Sequence, residues 1–182
     1  MPIQAVTLAI RDLLLLALHA DSSIPPNSFT IYVGPPDAGR TDDDLILFLL
    51  RINPNAELRN ADLARPGATG ADAALPLDLH YLVTAGSPAN VTSTEGLTRL
   101  GDAIRAIEAA SPLSVPSHGQ DAVWLSLEPM STDELSRIWG LFPNYNCRSS
   151  FVFRAGPVWI RSSRPATLAP PVLNQRPPAE AA

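Results

Sequence analysis

Lysine is missing altogether: the thirteen basic residues are all arginine, a choice that genomic base composition explains. Positive charge is scarce as well. Eighteen carboxylates leave a formal net charge of -5 and a pI near 5.0. That balance excludes the basic surface with which a nucleic-acid binder displaces counterions. The single cysteine, Cys147, excludes an internal disulfide and a thiolate metal cluster; it is expected to be a small, half-buried apolar side chain. The apolar run Leu13–Leu18 has six residues, far short of the ~20 that a helix needs to cross a bilayer, so no membrane insertion is expected. A signal peptide fits poorly too. No positive charge precedes Arg11, Asp12 heads the apolar run, and Ala17-Leu18-His19-Ala20 only loosely resembles a cleavage site. The segment reads as a helix of the mature protein, and the protein as cytoplasmic when made.

What is present is enough for one packed domain: 182 residues, of which 46% are hydrophobic. Ile3, Val6, Ile10, Leu13, Leu14, Ala17 and Leu18 recur at helical spacing, and Leu15 and Leu16 widen that face beyond one sheet contact. Phe29–Val33 is aromatic and β-branched, hence a strand, and Gly34-Pro35-Pro36-Asp37 stops it. Asp42-Asp43-Asp44 reads as a solvated turn, because no further ligand spacing supports a cation there. Leu45–Ile52 is apolar on both faces except at Arg51, as in a strand covered on two sides. An irregular excursion over 53–70 follows.

Leu75, Leu77, Leu79, Tyr81 and Val83 then alternate with Asp78 and His80, giving a strand with one buried face. Thr92–Glu95 and Ser131–Glu134 have capping-box spacing. The first opens a helix with the stripe Leu97, Leu100, Ile104, Ile107, closed by Ser111-Pro112; the second opens a short helix through Leu135, Ile138 and Trp139. Ala122–Leu127 is a further strand, and Phe151–Phe153 with Val158–Ile160 make a last strand or hairpin interrupted at Gly156-Pro157. The order α-β-β-β-α-β-α-β predicts an α+β domain over residues 1–162, a single mixed sheet of about five strands with three helices. Residues 163–182 form a Pro-rich tail that orders only on binding.

The sequence holds no G-x-S-x-G elbow, H-E-x-x-H, P-loop or G-x-G-x-x-G. His19 ends a helix, His80 lies on the polar face of a strand and His118 on a Pro/Gly/Ser loop, so each reads as structural. A hydrolase built on Cys147 and His80 is the alternative of another class. No cofactor or metal is expected.

In order along the chain, five blocks resemble the cap, or tail-terminator, family of phage-tail-like contractile injection systems of the antifeeding-prophage and virulence-cassette type. They are Ile3–Thr7 with Leu14-Leu15; Thr30–Asp37; Leu45–Arg51 with Glu57–Ala61; Leu77–Thr84; and Glu134–Trp139 with Tyr145 and Ser149. The chain departs from the family where Asn146-Cys147 precedes Arg148-Ser149. The resemblance implies a non-enzymatic structural protein. Such a protein forms a hexameric ring on the distal end of the inner tube, ends tube growth and anchors the last sheath ring, within a particle that is retained or released. A phage tail-completion or adaptor protein is the neighbouring alternative. Heterologous ring contacts need extra apolar surface, which Leu15 and Leu16 supply. Arg59 and Asn60 contact tube or sheath, or else hydrogen-bond the backbone of their own excursion. Asp78 and His80 face a neighbour or solvent, and Trp139 packs in the core or at an interface.

Overall fold

The computed structural model describes residues 2–20, 29–36, 43–58, 74–86, 93–115, 122–144 and 146–161. Three helices, α1 (Pro2–Ala20), α2 (Ser93–Ala109) and α3 (Thr132–Trp139), accompany one mixed sheet. Its six strands are β1 (Ile31–Val33), β2 (Leu45–Pro54), β3 (Ala74–Ala85), β4 (Leu113–Ser114), β5 (Ala122–Glu128) and β6 (Ser150–Arg161), in the spatial order β1-β2-β3-β6-β5-β4. β1 runs parallel to β2, and the other pairs are antiparallel. The expected α+β class with three helices holds. The strand beyond the expected five is β4, whose two residues are too short to leave a periodic signal.

α1 and α2 lie on one face of the sheet, where the main core forms. On α1 the buried residues Val6, Ile10, Leu14 and Leu18 sit four apart and meet Leu45, Leu47, Leu79, Tyr81, Val83 and Phe153 of the strands. By length and composition alone this helix could cross a bilayer; its apolar stripe is packed against the sheet, as in the core helix of a folded domain. Leu15 is half-buried against the core, whereas Leu16 is 70% exposed. The stripe of α2 differs from the expected one: Leu100, Ala103 and Ile107 are buried, Ile104 is partly exposed, and Leu97 points outward. Thr92 of the proposed first capping box lies outside the described residues. At α3 the second box is complete: Ser131 Oγ accepts from Glu134 N, and the Glu134 carboxylate accepts from Ser131 N at 3.0 Å. The Ser131 hydroxyl, 2.7 Å from Glu134 Oε2, and then the Ser131 N–H hold the Glu134 carboxyl below its ordinary range.

Two bulges keep the sheet faces consistent. In β2, strict alternation from Leu45, Leu47 and Leu49 would drive Arg51 into the core. A register shift between Leu49 and Arg51 pairs Arg51 with His80 instead, so Arg51 stays on the opposite face and Ile52 returns to the core side. In β6 the expected interruption at Gly156-Pro157 is a bulge within one continuous strand, not a hairpin: Ala155 pairs with Leu79 and Val158 with Leu77. The Gly156–Pro157 peptide is cis. A Cβ on Gly156 would overlap Asp78 Oδ1, so a side chain there would force the Asp78 carboxylate to shift.

Asp44 is not part of a solvated turn. It is buried, accepts from Thr30 N at 2.7 Å, and pairs with the Arg99 guanidinium, which also stands 5.3 Å from the centroid of Phe29. Its carbonyl accepts from Gly86 N at 2.9 Å. One aspartate thereby ties the start of β2 to β1, α2 and the end of β3.

Candidate functional site

The second face of the sheet has an apolar half and a polar half. α3 covers the apolar half: Trp139 packs on Ile46 with Tyr32, Leu135 and Phe142, and Phe48 meets Phe142 edge to face with centroids 5.7 Å apart. Trp139 is therefore a core residue of this layer.

The polar half follows from strand register. Ser126 of β5, Arg154 of β6, His80 of β3 and Arg51 of β2 are consecutive partners across the sheet. The next row holds Trp124 opposite Gly156, with Asp78 opposite Asn53. Asp78 and His80 lie on the predicted face but are not outward: they are only 9% and 5% exposed. Their own neighbours enclose them. His80 Nδ1 lies 2.7 Å from Glu128 Oε2 and 3.4 Å from an Arg51 guanidinium nitrogen, while Nε2 faces the Asn53 side-chain amide. Asp78 accepts two bonds from Asn55 Nδ2, at 3.2 and 3.0 Å, and has Arg154 at 3.8 Å. Burying a carboxylate and an imidazole is tolerable only because each is paired in this way.

Sequence reasoning missed Arg51, Asn55, Glu128 and Arg154 as the outer shell. The alternation of Trp124, Ser126 and Glu128 against Val123, Leu125 and Leu127 is the signal for Glu128, the member from β5. Arg59 and Asn60 lie outside the described residues, as does His118.

Between this band and α3 opens a cleft of about 520 Å³, with Leu50, Ile138 and Val152 among its apolar lining and with Arg51, Glu128, Glu134 and Arg137, beside the imidazole of His80, as its polar lining. The cleft shows no nucleophile–base pair among the described residues. Cys147 is exposed rather than half-buried, and the partners of His80 among the described residues are Arg51, Asn53 and Glu128. The described residues contain no cluster of His, Cys, Asp and Glu that would hold a metal ion. Among them, the clear upward pKa shift belongs to Tyr81 on the other face, whose burial pushes its phenol up to about 12 although Thr7 Oγ lies 2.8 Å from its hydroxyl.

No curated protein matches the chain. Solved structures that share its fold include two terminators. One is the sheath/tube terminator of an extracellular contractile injection system, PVC, in the extended state, with TM-score 0.64 and 18% identity over 98% of this chain and 65% of that one. The other is the tube-terminating cap of the anti-feeding prophage, with TM-score 0.64 and 17% identity over 94% of this chain and 59% of that one. The chain thus spans less than two thirds of the length of either. A family model described as the Pvc16 N-terminal domain matches residues 5–174, and the chain belongs to that family.

Proposed function

We propose that this protein is a structural cap that closes the distal end of the inner tube of a contractile injection system and anchors the last sheath ring. The observation that carries the reading is the family match over 5–174, joined to a whole-chain likeness to two tube terminators. A polymer of stacked rings has an open growing face, and a subunit that matches this face without presenting another ends it. A cap that matches a six-fold tube is itself a hexameric ring. Closed rings use heterologous contacts, and Leu16, exposed on the outer side of α1, supplies apolar surface for one. β1 pairs with β2 only over Leu45–Leu47, so the rest of that edge has no strand partner among the described residues and offers a place for a neighbour's strand. The protein works without catalysis, inside the producing cell, as part of an assembled particle.

Particles assembled with and without this protein test the reading. Without it, tubes over-long and bare, or sheaths short and contracted, are expected, and protein supplied in trans restores uniform particles. Particles of normal length, extended and capped in its absence, would end the proposal. So would a reconstruction of the distal end with no density for this chain, or with a symmetry other than six-fold.

A further inference from the structure

The sheet ends on each side in a short strand that covers only part of its neighbour. β1 pairs with β2 over Leu45–Leu47, and β4 pairs with β5 at Ala122 and Val123. The two lie at opposite ends of the sheet, β1 at the Leu45–Ala85 end and β4 towards the Leu77–Val158 end. Hydrogen bonds show which backbone groups remain. Asn55 N donates to Pro76 O, so by alternation Ile52 and Pro54 turn their backbone groups away from β3. Leu125 N donates to Ser111 Oγ outside the ladder, so Leu127, two residues on, also points its backbone outward. Neither Ile52 nor Leu127 has a strand partner on that side among the described residues. Both side chains belong to the core face, where Leu127 is partly buried and Ile52 is 44% exposed.

We propose that β5 of one copy adds to β2 of the next, antiparallel, with Leu127 opposite the neighbour's Ile52. The inference names the joint of the ring, and it rests on the cap reading for the ring's closure. Within the sheet β2 and β5 run in opposite directions. A sheet continued from copy to copy therefore joins them antiparallel, with the same face towards the helices. In this register Glu128 stands opposite the neighbour's Arg51, and Ser126 opposite its Asn53, on the second face. On the core face Leu127 meets Ile52 and Leu125 meets Pro54. Opposite charges and apolar pairs are thus matched at once. A slip by one residue would set Leu127 against Arg51 or Asn53 and turn the outward backbone groups of one edge away from those of the other. A slip by two, to Leu127 opposite Pro54, would lose a ladder bond, because proline has no N–H. The short strands leave the joint clear: β1 lies beyond the end of β5, and β4 beyond the end of β2. Two different edges meet in this contact, so it is heterologous, as a closed ring requires.

The test uses the full chain with Cys147→Ser, Ser126→Cys and Asn53→Cys, both in particles and as isolated protein. Within one chain the two introduced thiols are three strand spacings apart, ~14 Å, too far for a disulfide. In the joint they form a non-hydrogen-bonded pair with Cα atoms ~4.5 Å apart, within disulfide reach. Mild oxidation should give a ladder of covalent multimers up to the hexamer on a denaturing gel. The ladder should be several-fold stronger than with Arg51→Cys in place of Asn53→Cys, and nothing beyond a dimer should form with either substitution alone. Adding Ile52→Lys, at a side chain exposed enough to leave the fold intact, should abolish the ladder without changing urea unfolding. No ladder in either setting overturns the proposal, as does one equally strong with Arg51→Cys or with Ile52→Lys. Capped, six-fold particles without a ladder would refute the joint and leave the cap reading standing. A ladder from isolated protein that takes no place in particles would do the reverse.

Discussion

Tyr81→Phe removes one oxygen from the centre of the core, and its effect on stability should change sign with pH. At neutral pH the phenol, within 2.8 Å of Thr7 Oγ, is part of a buried hydrogen bond, and losing it costs about 1 kcal/mol. The cost stays modest because the Thr7 hydroxyl also donates to Ile3 O at 2.8 Å. At high pH the same oxygen is a liability. Burial raises its folded-state pKa from 10.0 to about 12, whereas the unfolded chain ionises at the ordinary value. Tyr81's contribution is therefore intact below pH ~10 and is lost as the pH climbs towards ~12. Each tenfold difference in proton affinity between the two states is worth ~1.4 kcal/mol, so the whole loss is ~2.7 kcal/mol. The two proteins should be equally stable near pH ~11, with the wild type ahead below and the variant ahead above. Urea unfolding from pH 8 to 12, followed by far-UV circular dichroism, measures the difference. The absence of lysine clears the window, since no lysine ammonium titrates there, and arginine stays charged throughout. Tyr32 and Tyr145 are common to both proteins and cancel. Stability curves that run parallel across this range would refute the reasoning.

Arg99→Ala leaves Asp44 buried without its cation and should cost about 3–5 kcal/mol in urea unfolding; a loss below about 1 kcal/mol would mean that Asp44 is solvated. Gly156→Ala places a methyl group against Asp78 and should destabilise by about 1–3 kcal/mol, with the largest amide shifts at Asp78 and Asn55; an unperturbed spectrum would contradict the close approach. Ser131→Ala removes the N-cap of α3 at a cost of about 1 kcal/mol, seen as faster hydrogen exchange at Glu134 and Leu135 without change in α1.

Most of the architecture was legible because its signals are local and repeated. Four-residue spacing exposed the buried face of α1, alternation exposed β3, and the Ser131–Glu134 pair marked the start of α3. The stripe of α2 differs from the expected one because Leu97, though apolar, lies on the outward face of the helix, while Gly96 and small Ala103 take core positions. Asp44 looked solvated because its partners, Thr30 and Arg99, are distant in sequence. Asp78 and His80 were placed on the correct face yet judged outward for the same reason: the groups that enclose them come from three other strands and from the residue after β2. Pairings of that kind leave no periodic trace. Cys147 runs the other way, since a lone cysteine gives no pattern from which its exposure could be read.

The two bulges have a consequence for comparing this chain with its relatives. Each is a frame shift in the hydrophobic code. Residues of the second face fall on even positions of β2 up to the bulge, Ile46 and Phe48, and on odd ones, Arg51 and Asn53, after it. In β6 the core positions change from odd, Phe151 and Phe153, to even, Val158 and Ile160. Both shifts flank β3, whose own alternation is unbroken over the same span. A relative that has lost either extra residue must therefore show the opposite parity beyond that point to keep the same face buried. Aligned without gaps there, two such sequences would look unrelated in the half of each strand where their structures still coincide.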